Sequence, residues 1–469
     1  MPSGKTLNAA NLETLGAPQL AALLMVISKG NAPAQRRLRL ALAGNAGAAD
    51  AARAVLKRLT SIAGAKTRLG WQKIKPFVAD LTVQREAILE LIAPADPREA
   101  FDLLWRLVGC GQGVLGRSDD GSGHLAEAFH AAVRDLGPLA ERAGVHPEEL
   151  ASLAVRVLSS DGHGVWDDLI PTLAPSLGRP GLGTVKALML EWQSEPSATP
   201  AHAGETRSRY RRRVVTRVLL QIADALDDVD DYIAQIDVAT RRTAPVAAAI
   251  ARRLLDAGRA DDAWLAVEAV EVKQRAQAPA EWGDIRLELL EALNRGDEAQ
   301  AFRWQQFRST LDASQLRAYL RKLPDFDDFD VEQQALAHAS KFADMHQALA
   351  FLIAWPDLRR ASELVLGRFQ ALNGDAHEAL TAAADALDDR YPLAAMVLRR
   401  CTIVFTLRMT RTARFKHAAR QLEACRHAAA RVTEFGKFPS HAEFERTLRA
   451  SYGRKAGFWQ EVAKLGPAS

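Results

Sequence analysis

The stretch "LLDAGRADDAWLAV", residues 254–267, contains the signal that decides the fold. An apolar helical run ends near Gly258, because glycine readily adopts the left-handed conformation that closes a helix. A second helix follows directly and carries Ala263 on its apolar side, where a small residue lets two helices approach closely. The stretch therefore predicts a helical hairpin.

The same turn recurs along the C-terminal half of the chain. Residues 289–304 and 371–387 repeat it, and we predict that Gly296 and Gly374 each end a helix. The alanines predicted to face inward, two of them in weaker copies of the turn, are Ala263, Ala299, Ala348, Ala379 and Ala418, which are 31 to 49 residues apart. Paired-helix repeats need about 34 to 47 residues each. We therefore predict an all-α fold whose helical-hairpin repeats form a TPR-like superhelix.

The rest of the chain also favours helix over sheet. Alanine and leucine are plentiful, and aromatic residues make up only 6% of the 469 residues. Asp96 followed by Pro97 predicts the start of a helix. Even the most strand-like stretch, residues 401–409, continues a helical face. One apolar stripe is formed near the start of the chain by Leu20, Leu23, Leu24 and Ile27.

A polar segment divides this helical sequence. Residues 193–208 lack periodicity and have the composition of a linker. We predict an N-terminal helical domain over residues 1–192 and a TPR-like helical-repeat domain over residues 209–469.

Composition narrows the classes of function. The 61 basic and 57 acidic residues leave a net charge of only +4. Three cysteines without a CxxC motif argue against a disulfide scaffold and favour a reducing compartment. The first residues lack the pattern of a secretory signal, and the apolar run at residues 20–27 is about half the length needed to span a bilayer. We expect a cytoplasmic protein that does not associate with membranes.

Several stretches together resemble a known protein family. They are "LGAPQLAALLM", "ADPREAFDLLWRLV", "GRSDDGSGHLAEAF" and the closing "YGRKAGFW". They resemble an uncharacterised, all-helical bacterial family, domain-of-unknown-function family 6880. The resemblance spans both halves of the chain and implies a helical fold, but it implies no particular activity or substrate.

Two loops carry residue types that could bind a cation. In the loop at 117–124, Asp119 and Asp120 are adjacent, and carboxylates are ligands of hard cations. The same residues also suit the start of a helix, where a carboxylate caps backbone N–H groups. The loop at 161–168 gathers three aspartates around His163, although a zinc site usually needs more than one histidine. A metal-dependent enzyme that uses either loop is one alternative.

Cys110 is a candidate nucleophile between a helix end and a glycine-rich turn. No histidine or acid can be assigned from the sequence to activate its thiol, so we predict a structural cysteine. We predict no catalytic residue and no cofactor.

An arginine-rich segment at residues 207–217 contains Arg211, Arg212 and Arg213. On a helix these cations and Tyr210 could bind single-stranded nucleic acid. Six aspartates between residues 224 and 237 could instead neutralise this basic face. Nucleic-acid association through the 207–217 helix is therefore the first alternative function, ahead of the metal-dependent enzyme.

The C-terminus places Arg454 and Lys455 close to Phe458 and Trp459. Repeat arrays need a terminal element that covers the last apolar face, and adjacent aromatics suit that task. Alternatively, Arg454, Lys455 and Trp459 could hold an anionic ligand.

The leading prediction of function follows from the predicted architecture. A superhelix of paired helices presents a concave surface, which usually holds an extended partner and rarely performs catalysis. We therefore predict a cytoplasmic scaffold or adaptor without catalytic activity, with a protein partner on the concave surface.

Overall fold

The computed structural model describes residues 7–195, 201–275, 277–324 and 327–465. Within these ranges every regular element is helical, and the isolated pairing of Leu69 with Ser118 does not extend into a strand. The predicted all-α fold class is therefore confirmed.

The chain divides into two compact units. The N-terminal unit comprises Met1–Arg259 and Leu265–Gln277, and the C-terminal unit comprises Ala260–Trp264 and Ala278–Ser469. The predicted domain boundary at residues 193–208 stays a prediction, and residues 196–200 of that segment lie outside the described residues.

The N-terminal unit contains most of the first sixteen helices. They are α1 (Ala9–Glu13), α2 (Ala17–Ser28), α3 (Ala32–Ala46), α4 (Ala48–Ala63), α5 (Ile74–Ala87), α6 (Pro97–Gly109), α7 (Gly111–Leu115), α8 (His124–Ala143), α9 (Pro147–Leu158), α10 (Leu169–Ser194), α11 (Ala201–Ala225), α12 (Val229–Ala234), α13 (Val238–Arg241), α14 (Ala244–Asp256), α15 (Ala260–Glu268), whose residues are divided between the units, and α16 (Val272–Arg275). A π turn, Ile88–Ile92, follows α5.

Helix α10 is central to the core of this unit, because it packs against α8, α9 and α11. The contact with α8 is close at Gly137, where a Cβ atom would lie 2.4 Å from the carbonyl oxygen of Thr172. Helix α6 also packs on α8 and begins at Pro97. The Asp96 side chain caps α6 by accepting the Glu99 N–H at 2.9 Å, which confirms the predicted helix start.

The C-terminal unit is built from eleven further helices within its described residues. They are α17 (Ala280–Ala292), α18 (Gly296–Thr310), α19 (Ala313–Leu320), α20 (Asp327–Ser340), α21 (Met345–Ala354), α22 (Leu358–Arg368), α23 (His377–Leu387), α24 (Pro392–Arg408), α25 (Phe415–Ala429), α26 (His441–Tyr452) and α27 (Ala456–Leu465). Helix α24 contains the strand-like stretch 401–409 up to Arg408, which confirms the helical interpretation.

The helices of the C-terminal unit pack mainly on their neighbours in sequence. Each helix from α17 to α25 packs against the next one. Several also contact the helix after that, namely α18 with α20, α20 with α22, α21 with α23, α22 with α24, α24 with α26 and α25 with α27. Stacked helical hairpins produce this order of contacts.

The predicted inward-facing alanines are buried in four of five positions. Ala263, Ala299, Ala348 and Ala418 are at most 1% exposed. Ala379 is exposed, so that prediction is wrong. Helix α23 instead buries the face that contains Leu380 and Leu387, because burying these larger apolar side chains determines its rotation.

The predicted helix-ending glycines have different roles. Gly258 has a φ of 75° just beyond Ala257, the C-cap of α14, and so ends that helix as predicted. Gly296 instead begins α18, and Asn294 adopts the left-handed conformation after α17, with a φ of 55°. Gly374 precedes α23 and lies against α24, where a Cβ atom would lie 2.6 Å from the carbonyl oxygen of Cys401.

Candidate functional site

The arginine-rich segment lies on α11, and its side chains have separate roles. Arg211 is only 8% exposed. Its guanidinium donates to the carbonyl oxygens of Glu195 at 2.7 Å and Trp192 at 3.3 Å, and it lies 5.4 Å from the Trp192 ring centroid. Arg211 therefore attaches α11 to the end of α10, and its charge is used within the unit.

An ion pair and a hydrogen bond also connect α11 to the 161–168 loop. Arg217 forms an ion pair with Asp167, and the Tyr210 hydroxyl donates to the carbonyl oxygen of Asp161. The hydroxyl end of Tyr210 is therefore engaged within the protein. Arg212 and Arg213 are exposed, and the Arg213 guanidinium lies 5.9 Å from the Tyr210 ring centroid. The side chain of Arg207 lies outside the described residues.

The aspartates that follow α11 pair with other cations. Asp224 binds Arg253, whose Nη2 donates to Oδ2 at 2.8 Å, and Asp231 accepts from Lys186 at 2.8 Å. The hydrogen bond from Asp224 raises the pKa of Arg253 above its ordinary value, although burial opposes this shift. Arg253 also lies 3.9 Å from the Tyr232 ring centroid. The expected neutralisation of the basic face by these two aspartates is therefore absent.

The sequence did not predict the cleft that these acidic residues form. It has a volume of about 440 Å³. Its lining side chains include Asp224, Asp227, Asp228 and Asp256, together with Arg253 and Tyr232. Arg253 is the one cation among these lining residues, and its ion pair with Asp224 supports the wall between α11 and α14.

The Asp119–Asp120 turn acts as a helix cap. One oxygen of Asp120 accepts the N–H groups of Leu125 at 2.8 Å and Ala126 at 3.3 Å, and the other accepts the Ser122 hydroxyl at 2.9 Å. Burial tends to raise the pKa of Asp120, but these hydrogen bonds outweigh it and hold the pKa below its ordinary value. Asp119 is exposed, with Arg68 at 3.9 Å.

Replacing Asp120 by alanine is expected to lower the free energy of unfolding of the N-terminal unit by about 1 kcal/mol, the usual effect of losing a helix cap. Asp119→Ala is the matched control, with an expected change below about 0.5 kcal/mol. Thermal unfolding followed by circular dichroism, with and without EDTA, measures both effects. A bound divalent ion, or a loss of stability of the wild type in EDTA, would show that the turn is a cation site.

The 161–168 loop is organised around a buried carboxylate. Asp161 is 5% exposed and accepts the N–H groups of His163 at 3.1 Å, Val165 at 3.3 Å and Trp166 at 3.0 Å. These hydrogen bonds give the Asp161 carboxylate a structural role in the loop. Among the described residues, no group of three or more His, Cys, Asp or Glu side chains has an arrangement that could hold a metal ion.

Two of the three cysteines, Cys110 and Cys425, are buried, and Cys401 is partly buried. Burial raises the pKa of the Cys110 thiol to about 11, and its Sγ donates to the carbonyl oxygen of Arg106 at 3.3 Å. Burial raises the pKa of Cys425 to about 12. A thiol with such a pKa is a poor nucleophile at neutral pH.

The cationic and aromatic residues at the C-terminus are held apart by separate contacts. The Lys455 ammonium donates to the Thr410 hydroxyl at 2.6 Å, and the Trp459 indole N–H donates to the carbonyl oxygen of Tyr452 at 3.1 Å. The cation over the Trp459 ring is Arg449, at 4.2 Å from the ring centroid. Arg454 is exposed.

The apolar surface of α2 is the feature that the sequence did not reveal. Its side chains at Leu23, Leu24, Met25, Val26 and Ile27 are 41%, 46%, 70%, 71% and 69% exposed. An apolar stripe normally faces a core, but no core formed by the described residues covers this one. The sequence signal for this surface was the uninterrupted apolar run "LAALLMVI". This run has no polar side, which is expected for a helix that contacts apolar surroundings on all sides.

Taken together, the fold and these sites define an all-α protein with a long helical C-terminal unit. The profile of a family of unknown function (DUF6880) matches residues 2–461, and the chain belongs to this family. A comparison with curated proteins finds no match. None of the helices in the described ranges combines the length and apolarity needed to cross a membrane.

Proposed function

We propose that this chain is a cytoplasmic protein-interaction scaffold or adaptor without catalytic activity. The observation that carries the proposal is the exposed apolar surface of α2, residues 23–27. Contiguous exposed apolar side chains on a folded protein mark interaction sites. In this proposal the C-terminal repeats form a TPR-like superhelix whose concave surface holds a protein partner.

The packing order in the C-terminal unit supports the repeat part of the proposal. Contacts between consecutive and next-but-one helices are those of an array in which each hairpin rests on its neighbour. Such arrays use their surfaces for binding. In the 117–124 loop the carboxylate of Asp120 accepts hydrogen bonds from the helix that follows, and in the 161–168 loop the carboxylate of Asp161 accepts them from the loop itself.

The occupant of the α2 surface is the apolar face of an amphipathic helix from a protein partner. Residues 17–28 carry no charged side chain, so the facing surface must also be uncharged. Burial of apolar area contributes about 25 cal/mol per Å². A helix laid along another helix buries side chains at i, i+3, i+4 and i+7.

The double variant Val26→Glu, Ile27→Glu tests this docking surface. We expect it to weaken partner binding at least tenfold, since two carboxylates would be buried without partners. Leu265→Glu, Val272→Glu is the matched control, because these side chains are 68% and 76% exposed in the same unit. A photo-crosslinker at position 26 should capture the partner that a tagged pull-down recovers after nuclease treatment.

A stoichiometric protein partner that crosslinks at position 26 and is lost only with the Val26 and Ile27 variant supports the proposal. Equal loss with both double variants contradicts it. If all partners disappear with nuclease, nucleic-acid association is favoured, and Arg212 and Arg213, which are exposed on α11, are the residues to neutralise.

A further inference from the structure

A cleft between α3, α4 and α5 has an unusual concentration of positive charge. Its volume is about 300 Å³, and the described residues that line it include four cations and no carboxylate. The cations are Arg36, Arg39, Lys57 and Arg58. Like charges at this density repel each other, so an anion in the cleft would be stabilised by all four.

One buried carboxylate supports two of these cations from behind. Asp80 is 4% exposed and accepts from the Nε atoms of Arg36 at 3.2 Å and Arg58 at 2.7 Å. Each guanidinium has five N–H donors, so most of them remain for other acceptors. Asp80 therefore orders the two guanidiniums and neutralises only part of the charge.

Gln84 adds a neutral hydrogen-bonding group to the same cleft. Its side chain lines the same cleft, and the residue is only 3% exposed. Its amide has two N–H donors and one acceptor oxygen that a ligand in the cleft would contact.

We infer that this cleft binds the phosphate group of a small phosphate monoester. A phosphate dianion has three terminal oxygens and matches several converging cations better than a single carboxylate does. Leu40 and Ala54 form an apolar wall beside the cations, suited to a small organic group. The volume lies at the lower end of the range for small-molecule sites, so the ligand is small.

Titration calorimetry of the full chain with phenyl phosphate, at constant ionic strength, tests the site. We expect saturable binding of one molecule, no binding of phenol, and affinity at least tenfold weaker in Arg39→Gln, Lys57→Gln. These two side chains are exposed, so the variant should fold normally. The matched control is Arg37→Gln, Lys66→Gln, which removes the same charge from exposed residues outside the cleft. It should retain the wild-type affinity within twofold.

Gln84→Leu should also weaken phenyl phosphate binding while the chain stays folded. The inference is overturned if phenyl phosphate does not saturate, or if both double variants lose affinity equally. It is also overturned if a single-stranded oligonucleotide binds through Arg39 and Lys57 and phenyl phosphate does not. These outcomes do not involve α2, so they are independent of the scaffold proposal.

Discussion

Replacing Phe458 by alanine is expected to lower the free energy of unfolding of the C-terminal unit by about 3–5 kcal/mol. The Phe458 side chain is fully buried, and its ring lies 6.2 Å from the Phe415 ring and 4.9 Å from the Trp459 ring. It joins α27 to α25, so its removal leaves a cavity where the last helix packs. Denaturant unfolding followed by circular dichroism measures the change.

Phe329→Ala is the matched control, because that ring is 63% exposed in the same unit and its loss should cost less than about 0.5 kcal/mol. Similar stability of the two variants would contradict the role of α27 as a terminal cover. Trp459 is half-buried, so Trp459→Ala should have a smaller effect than Phe458→Ala. The prediction thus distinguishes a packing role of this segment from a ligand site.

Removing the carboxylate of Asp388 is expected to destabilise the C-terminal unit by about 3 kcal/mol. Asp388 forms ion pairs with Arg399, which is 5% exposed, and with Arg431. Without it, the buried Arg399 keeps one ion pair among the described residues, with Asp385, whose carboxylate is largely exposed. Asp389→Ala is the control, because that neighbouring side chain is fully exposed and lies 3.8 Å from Arg431.

The same residue predicts a dependence of stability on pH. Burial alone would raise the pKa of Asp388, but hydrogen bonds from Arg399 and Arg431 outweigh it and hold the pKa below its ordinary value. Since the pKa is depressed in the folded state, the stabilisation is complete above the unfolded pKa of about 3.9 and decreases below it. Unfolding measured from pH 6 down to pH 2 should therefore show a smaller acid dependence in Asp388→Ala than in the wild type. An identical acid dependence would contradict this assignment.

Local signals predicted the start of α6, but they failed for the start of α18 at Gly296 and for the inward face of α23 at Ala379. Asp96 and Pro97 act over one turn, so the start of α6 could be predicted without knowing its surroundings. Whether a face is covered depends on distant residues. Helix α2 shows this, because the predicted apolar stripe does lie on a helix, but most of its side chains are exposed.

The candidate sites depended even more on distant contacts. The sequence identified the charges at Arg211 and Asp120, but it could not show that Arg211 is buried against Trp192. Asp120 could be interpreted as a cap because the N–H groups that donate to its carboxylate lie only five and six residues further along the chain. Asp80, by contrast, contacts Arg36 and Arg58, which are 44 and 22 residues away, so the basic cleft had no local signature.

The buried thiols also allow the local opening of each unit to be measured separately. Cys110 belongs to the N-terminal unit and Cys425 to the C-terminal unit, and each must be exposed and deprotonated before it can be alkylated. Pulsed alkylation followed by peptide mass spectrometry therefore yields two separate rates from one sample. Their ratio compares how readily the two units open around their buried thiols.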